Sequence, residues 1–154
     1  MSTDWVERVA RRRATGSAEH VLVVDDEEGV RGFAARILEA AGFRTTRAAT
    51  GQEALALVQG QPTRFDAVLS DVVMPDLDGV RLLAFLADLR PDLPVLLMSG
   101  HVPSVLQARG IKPPCAFVAK PFRPHDLARL VRSCIDDQGR LRARAPSPPS
   151  PEQN

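Results

Sequence analysis

Four short apolar runs in this chain each end in a side chain that can act on phosphorus or hold a metal. Residues 21–24 lead into Asp25 and Asp26, 67–70 into Asp71, 95–98 into Ser99, and 116–119 into Lys120. Singly, each would pass as a helix cap or a surface charge. Four in succession, all at the same end of an apolar run, point to convergence on one place. Three carboxylates drawn to within several ångströms repel by roughly 4 kcal/mol per close pair at an effective dielectric near 20, against a domain stability of about 5–15 kcal/mol. One ammonium, Lys120, does not neutralise them, so a divalent cation is expected. All-oxygen ligation by few carboxylates selects Mg²⁺. Such an ion keeps waters and accepts phosphate oxygens as further ligands, which makes phosphoryl transfer the leading reaction class.

The elements that must bring these groups together are legible in the hydropathy pattern. Short apolar runs alternate with longer segments of helical spacing, the mark of repeated βα units and a parallel sheet. Strands are predicted at 21–24, 44–48, 67–70, 95–98 and 116–119. All but the second are almost wholly apolar, as strands covered on both faces must be; the second, with Arg44, Thr45, Thr46 and Arg47, suits a sheet edge. The first helix shows a stripe of Val30, Phe33, Ala34, Ile37, Leu38 and Ala41 at three- and four-residue steps, with Gly42 as its stop. Thr50 and Glu53 form a capping-box pattern for a second helix through Val58. Further helices are predicted at 79–89, 103–109 and 124–135, the last two with proline in the first turn. Glu27 and Glu28 begin the first helix, His20 begins a strand, and His125 sits in a helix first turn; none of these histidines is assigned chemistry. Right-handed crossovers then give an α/β, doubly wound, five-stranded parallel sheet, whose ligands bind at the carboxyl ends of its strands.

Size and composition agree with a single such domain. The chain has 154 residues, with 20 basic against 19 acidic side chains, 44% hydrophobic and 25% charged, which matches a globular protein with no chain-wide field for nucleic acid or anionic membranes. Residues 1–19 read as a flexible leader with Trp5, Val6 and Val9 as its apolar cluster, 20–137 as the domain, and 138–154 as a disordered Pro/Ser-rich tail. No apolar run approaches a membrane span, and none follows the early arginines as a secretory signal would require. Cys115 and Cys134, without a Cys-x-x-Cys pair, suggest two independent core residues in a reducing cytoplasm rather than a disulfide or zinc site.

The four strand-end motifs, Val23-Val24-Asp25-Asp26, Ser70-Asp71-Val72-Val73-Met74-Pro75-Asp76-Leu77-Asp78-Gly79, Met98-Ser99-Gly100 and Lys120-Pro121-Phe122, resemble in order and spacing those of receiver domains of two-component response regulators. The resemblance covers residues 20–137. It implies a flavodoxin-like sheet of order 2-1-3-4-5, in agreement with the edge position read from the polarity of 44–48. It further implies that Asp71 accepts a phosphoryl group from the phosphohistidine of a sensor histidine kinase or a histidine phosphotransfer protein. Mg²⁺ would be held by Asp26, Asp71 and the Val73 backbone carbonyl, with Asp25 acting through a water. Ser99 and Lys120 would each bind a phosphoryl oxygen, and the Lys120-Pro121 bond would be cis. Ser99 and Phe117 match the family's switch positions, although Phe117 also reads as an ordinary strand residue. The implied output is a protein-binding face on the helices at 103–109 and 124–135, which also serves homodimers in the family. Such a domain catalyses only its own phosphorylation and dephosphorylation and is not otherwise an enzyme.

Two departures bear on lifetime and role. Ser99 stands where many members carry threonine, which keeps the hydroxyl, and Val73 is apolar where some relatives place a side chain that orients hydrolytic water. A long-lived acyl phosphate is therefore expected, with His101 the other candidate for placing that water. Two competing readings exist: a haloacid dehalogenase-type Mg²⁺ phosphohydrolase with its nucleophile on strand one, and a docking module that works without phosphate. The first lacks its Asp-x-Asp run, since this chain has Asp25-Asp26-Glu27; the second leaves the acidic cluster without a purpose. Direct DNA binding is not expected, because no helix-turn-helix pattern follows the last helix.

Overall fold

Alternation at period two decides how the first strand is used. In β1 (His20–Val24) Leu22 and Val24 point to one side of the sheet and Val21 and Val23 to the other, and all are fully buried. The computed structural model describes residues 18–61, 64–100 and 114–144. After β1 come α1 (Glu28–Ala40), β2 (Arg44–Ala48), α2 (Gly51–Gly60), β3 (Ala67–Asp71), α3 (Gly79–Leu89), β4 (Val95–Ser99), β5 (Ala116–Ala119) and α4 (Pro124–Arg144). All strand pairs are parallel, and the sheet order is β2-β1-β3-β4-β5. The polar strand β2 is thus an edge, as its arginines and threonines require.

Each face of the sheet carries its own core. Leu22, Val24, Val68 and Leu97 pack with Leu82 and Leu86 of α3 and with Ala54 and Val58 of α2. Val21, Val23, Leu69, Leu96 and Met98 pack with Ala34 and Leu38 of α1 and with Leu127 and Val131 of α4. Helix starts follow the sequence signals. The Thr50 side chain accepts from the Glu53 N–H at 3.0 Å, while the Glu53 carboxylate accepts from the Ala49 N–H at 3.1 Å. Gly42 ends α1 with φ of 97°, a conformation that favours glycine.

The structure corrects five sequence-based expectations. The apolar run 116–119, read as a strand covered on both faces, is the edge strand β5, with Phe117 and Ala119 exposed. Phe33, placed on the buried stripe of α1, is 44% exposed; it lies at the margin of that stripe, and its ring stacks on Phe122 at a centroid distance of 5.7 Å. Ala41, placed on the same stripe, is also exposed, because α1 has already ended and Ala41 is its C-cap. Cys115 and Cys134 are joined as a disulfide with Cα atoms 6.0 Å apart. Because α4 runs back along the sheet against β5, its tenth residue beyond Pro124 returns to the level where β5 begins. Cys115 is exposed rather than a core residue. Finally, α4 continues to Arg144, so 138–144 is helical; this stretch holds good helix formers and precedes the first tail proline, Pro146. The helix expected at 103–109, His101, Trp5 and the tail from 145 onward lie outside the described residues.

Because Leu69 is fully buried in the central strand β3, Leu69→Ala is expected to lower unfolding free energy by about 3 kcal/mol. Urea unfolding should show a lower midpoint at an unchanged slope.

Candidate functional site

Lys120 begins the turn after β5, yet its side chain reaches past β4 to the ends of both β3 and β1. Its ammonium donates to Asp25 Oδ2 at 3.1 Å and stands 3.2 Å from Asp71 Oδ1. The backbone is held for this reach: the Lys120 N–H donates to the Ser99 carbonyl at 3.0 Å, and Phe122 stacks on Phe33 of α1. The Lys120-Pro121 peptide is cis.

The acids occupy unlike environments. Asp25 is fully buried, and its second oxygen, Oδ1, accepts from the Glu27 N–H at 2.9 Å. Asp26, next in sequence, turns to the surface. Asp71 is buried at the end of β3. One carboxylate oxygen from each of the three lies within 4.8 Å of the others. Ser99 ends β4 one residue beyond Met98, the register partner of Asp71, and is partly buried. The four strand ends named from the sequence therefore meet at one edge, as parallel order demands. Phe117 is 36% exposed and lies outside both buried clusters. The Val73 side chain is 77% exposed.

Contacts that sequence reading did not identify fasten the loop after Asp71. The Gly79 N–H donates to the Val72 carbonyl at 2.9 Å and the Val72 N–H to the Met98 carbonyl at 3.0 Å. A Cβ on Gly79 would lie 2.3 Å from the Asp71 carbonyl oxygen, so only glycine permits this approach. Asp78 caps α3 by accepting from the Arg81 N–H at 2.8 Å. Asp76 accepts from the N–H groups of Gln52 and Gly51, at 3.0 and 3.3 Å, at the positive end of α2. The acidic residues just before a helix start were the available signal for the Asp78 cap; the partner of Asp76 lies on a different helix and had none.

Charge in the cluster is unbalanced. Burial raises the Asp71 carboxyl above the ordinary aspartate value, the Lys120 ammonium opposes that rise, and Asp25 adds to it. Burial by itself would lower Lys120, but its hydrogen bonds and ion pairs with Asp25 and Asp71 outweigh this and hold it above its usual value. At Asp76 a small burial effect is outweighed by hydrogen bonds from Gln52, Leu77 and Gly51, which lower its carboxyl. Three hard oxygen donors, one of them open to solvent, beside a single ammonium form a donor set suited to Mg²⁺.

The family model of the response regulator receiver domain matches residues 21–132. The chain belongs to that receiver family. It is 36% identical over 126 residues to the sensor kinase CckA of Brucella abortus, an alignment covering 80% of this chain and 13% of the kinase. It is 30% identical over 118 residues to the response regulator receiver protein CpdR of Brucella abortus, covering 76% of this chain and 97% of that protein. The solved receiver domain of the hybrid histidine kinase CckA superposes with a TM-score of 0.63 at 34% identity, covering 75% of this chain and 98% of that one. The chain thus spans a small part of the kinase and nearly all of the single-receiver relative. Membership of the receiver family displaces the phosphohydrolase reading. Among the described residues no helix is long and apolar enough to cross a membrane.

An acid whose folded-state pKa is raised binds protons more tightly when folded, so its stability contribution falls as pH rises from about 4 through the raised value. Asp71→Asn is therefore expected to raise the Tm of the metal-free protein at pH 7 by about 2–5 °C. The gap should close as pH falls below about 4, and Mg²⁺ should raise the Tm of wild type more than that of the variant. Gly79→Ala should cost about 2–4 kcal/mol in urea unfolding, because backbone must move to admit the methyl group.

Proposed function

We propose that this receiver accepts a phosphoryl group on Asp71 from a kinase or phosphotransfer-protein phosphohistidine and switches a protein-binding face in response. The observation that carries this reading is the Lys120 ammonium held between Asp25 and Asp71, with a third carboxylate beside them. An Asp71 carboxylate oxygen forms the bond to phosphorus as the P–N bond breaks. The electron pair of that bond stays on the imidazole nitrogen, which is protonated from solvent. Mg²⁺ held by Asp26, Asp71 and the Val73 carbonyl, with Asp25 acting through a water, would supply charge neutralisation for the transferring group. Lys120 pairs with a phosphoryl oxygen, and the Ser99 hydroxyl donates to another. No separate base is needed, because the work is positioning and charge.

The added phosphoryl group brings nearly two negative charges and three acceptor oxygens. Ser99 is drawn toward it, and Phe117, on the edge strand and outside both cores, is the side chain with room to respond. The face presented by β5 and α4 is the proposed contact for a downstream protein target or a second copy of the chain, the helix expected at 103–109 lying outside the described residues, and the cytoplasm is the proposed setting. The exposed, apolar Val73 side chain offers no hydrogen bond to an attacking water, which supports a long-lived acyl phosphate.

Incubation with acetyl phosphate or phosphoramidate and Mg²⁺, followed by intact mass measurement, should give one phosphoryl adduct per chain. The adduct should be missing in Asp71→Asn and without metal; labelling of that variant would contradict the assignment. Val73→Asn should shorten the adduct's lifetime several-fold in a decay time course. Unchanged decay both there and in His101→Ala would remove the lifetime argument.

A further inference from the structure

The two cysteines of the Cys115–Cys134 bridge have unlike surroundings. Cys115 sits just before edge strand β5 and is exposed; Cys134 is 4% exposed on the inner face of α4. The Cα separation of 6.0 Å lies in the range a disulfide requires. The bridge does not create the packing it spans, because Val118 of β5 already shares a core with Leu127 and Val131 of α4. It closes a loop of chain that contains Phe117, Lys120 and Phe122. In the sheet β5 pairs with β4 alone, through bonds that include Cys115 N–H to the Val95 carbonyl at 2.8 Å.

We propose that Cys115–Cys134 is a site of thiol–disulfide exchange with low-molecular-weight thiols, and that opening it loosens β5 from α4. A thiolate of the glutathione class attacks Cys115 Sγ in line with the S–S bond, from the solvent side. That bond breaks and its electron pair leaves on Cys134 Sγ, which takes a proton. A second small thiolate then attacks the outer sulfur of the mixed disulfide, releasing Cys115 as a thiolate and a small disulfide as product. Two electrons pass from two small thiols to the protein; closure is the reverse, with a small disulfide as oxidant. Access selects the sulfur attacked, so Cys115 is the entry point and Cys134 the resolving thiol. In a reducing compartment such a bridge is conditional rather than permanent. None of this depends on phosphoryl transfer.

The test equilibrates the full chain in glutathione buffers from fully reduced to fully oxidised, then quenches in acid, labels free thiols with a maleimide and weighs the products. Wild type should pass between two labels and none while its circular dichroism stays native. Cys134→Ser should gain one glutathione at Cys115; Cys115→Ser, with its remaining thiol buried, should gain none. Amide exchange at 115–119 should be several-fold faster in the reduced form, with β1 and β3 unchanged. The proposal is overturned if wild type keeps both thiols free in oxidised glutathione or if the bridge opens only on unfolding. Equal reactivity of the two single variants, or equal exchange in both redox forms, would overturn it as well. The wild-type measurements stand even where a variant fails to fold.

Discussion

A single ammonium shared between two buried carboxylates holds this site in shape. Lys120 lies on the far edge of the sheet from Asp25, and its bonds to Asp25 and Asp71 join the ends of β5, β3 and β1 across the width of β4. Lys120 pairs with two of the three carboxylates and the Arg31 guanidinium donates to the Asp25 backbone carbonyl at 2.8 Å, which leaves negative charge in excess in the cluster. Any cation bound by the folded state and not by the unfolded chain adds its binding free energy to stability. The features that give the site its chemistry are therefore the features that leave the metal-free domain below its best stability.

The surrounding fold supplies rigidity to the Asp71 side of the cluster. The loop after Asp71 is pinned at its start by Met98, at its end by the close approach of Gly79, and at its middle by Asp76 on the N-terminus of α2. A carboxylate on so constrained a backbone loses little freedom when it is used, which is how positioning becomes rate. The opposite side is built differently. β5 is an edge strand, Phe117 is partly exposed, and the turn into Lys120 rests on the stack of Phe122 upon Phe33.

Much of this was legible in the residues before any coordinates. Apolar runs of four or five residues marked the strands to within one residue, and the polarity of Arg44–Ala48 marked an edge, because burial on two faces leaves no place for arginine. The convergence of Asp25, Asp26, Asp71, Ser99 and Lys120 followed from parallel order alone, since every strand then ends at the same side. Other features depend on distance in space and had no local signature. The sequence separation of 19 from Cys115 to Cys134 gave no sign that a strand and a returning helix bring them together. The opposite burial of Asp25 and Asp26 arises where β1 ends, and composition says nothing of it. The extension of α4 past Ile135 was masked by the prolines that follow it.

The central claim is that folding gathers Asp25, Asp26 and Asp71 around one hard cation beside Lys120. Crystals grown with Mn²⁺ in place of Mg²⁺ and measured at the manganese absorption edge test it most directly. One anomalous peak within ligand distance of the Asp26 and Asp71 carboxylates, with Lys120 still facing Asp71, is the outcome this account requires. A map with no peak there, or one in which the Asp71 carboxylate turns away from Asp25 and Asp26, would contradict it.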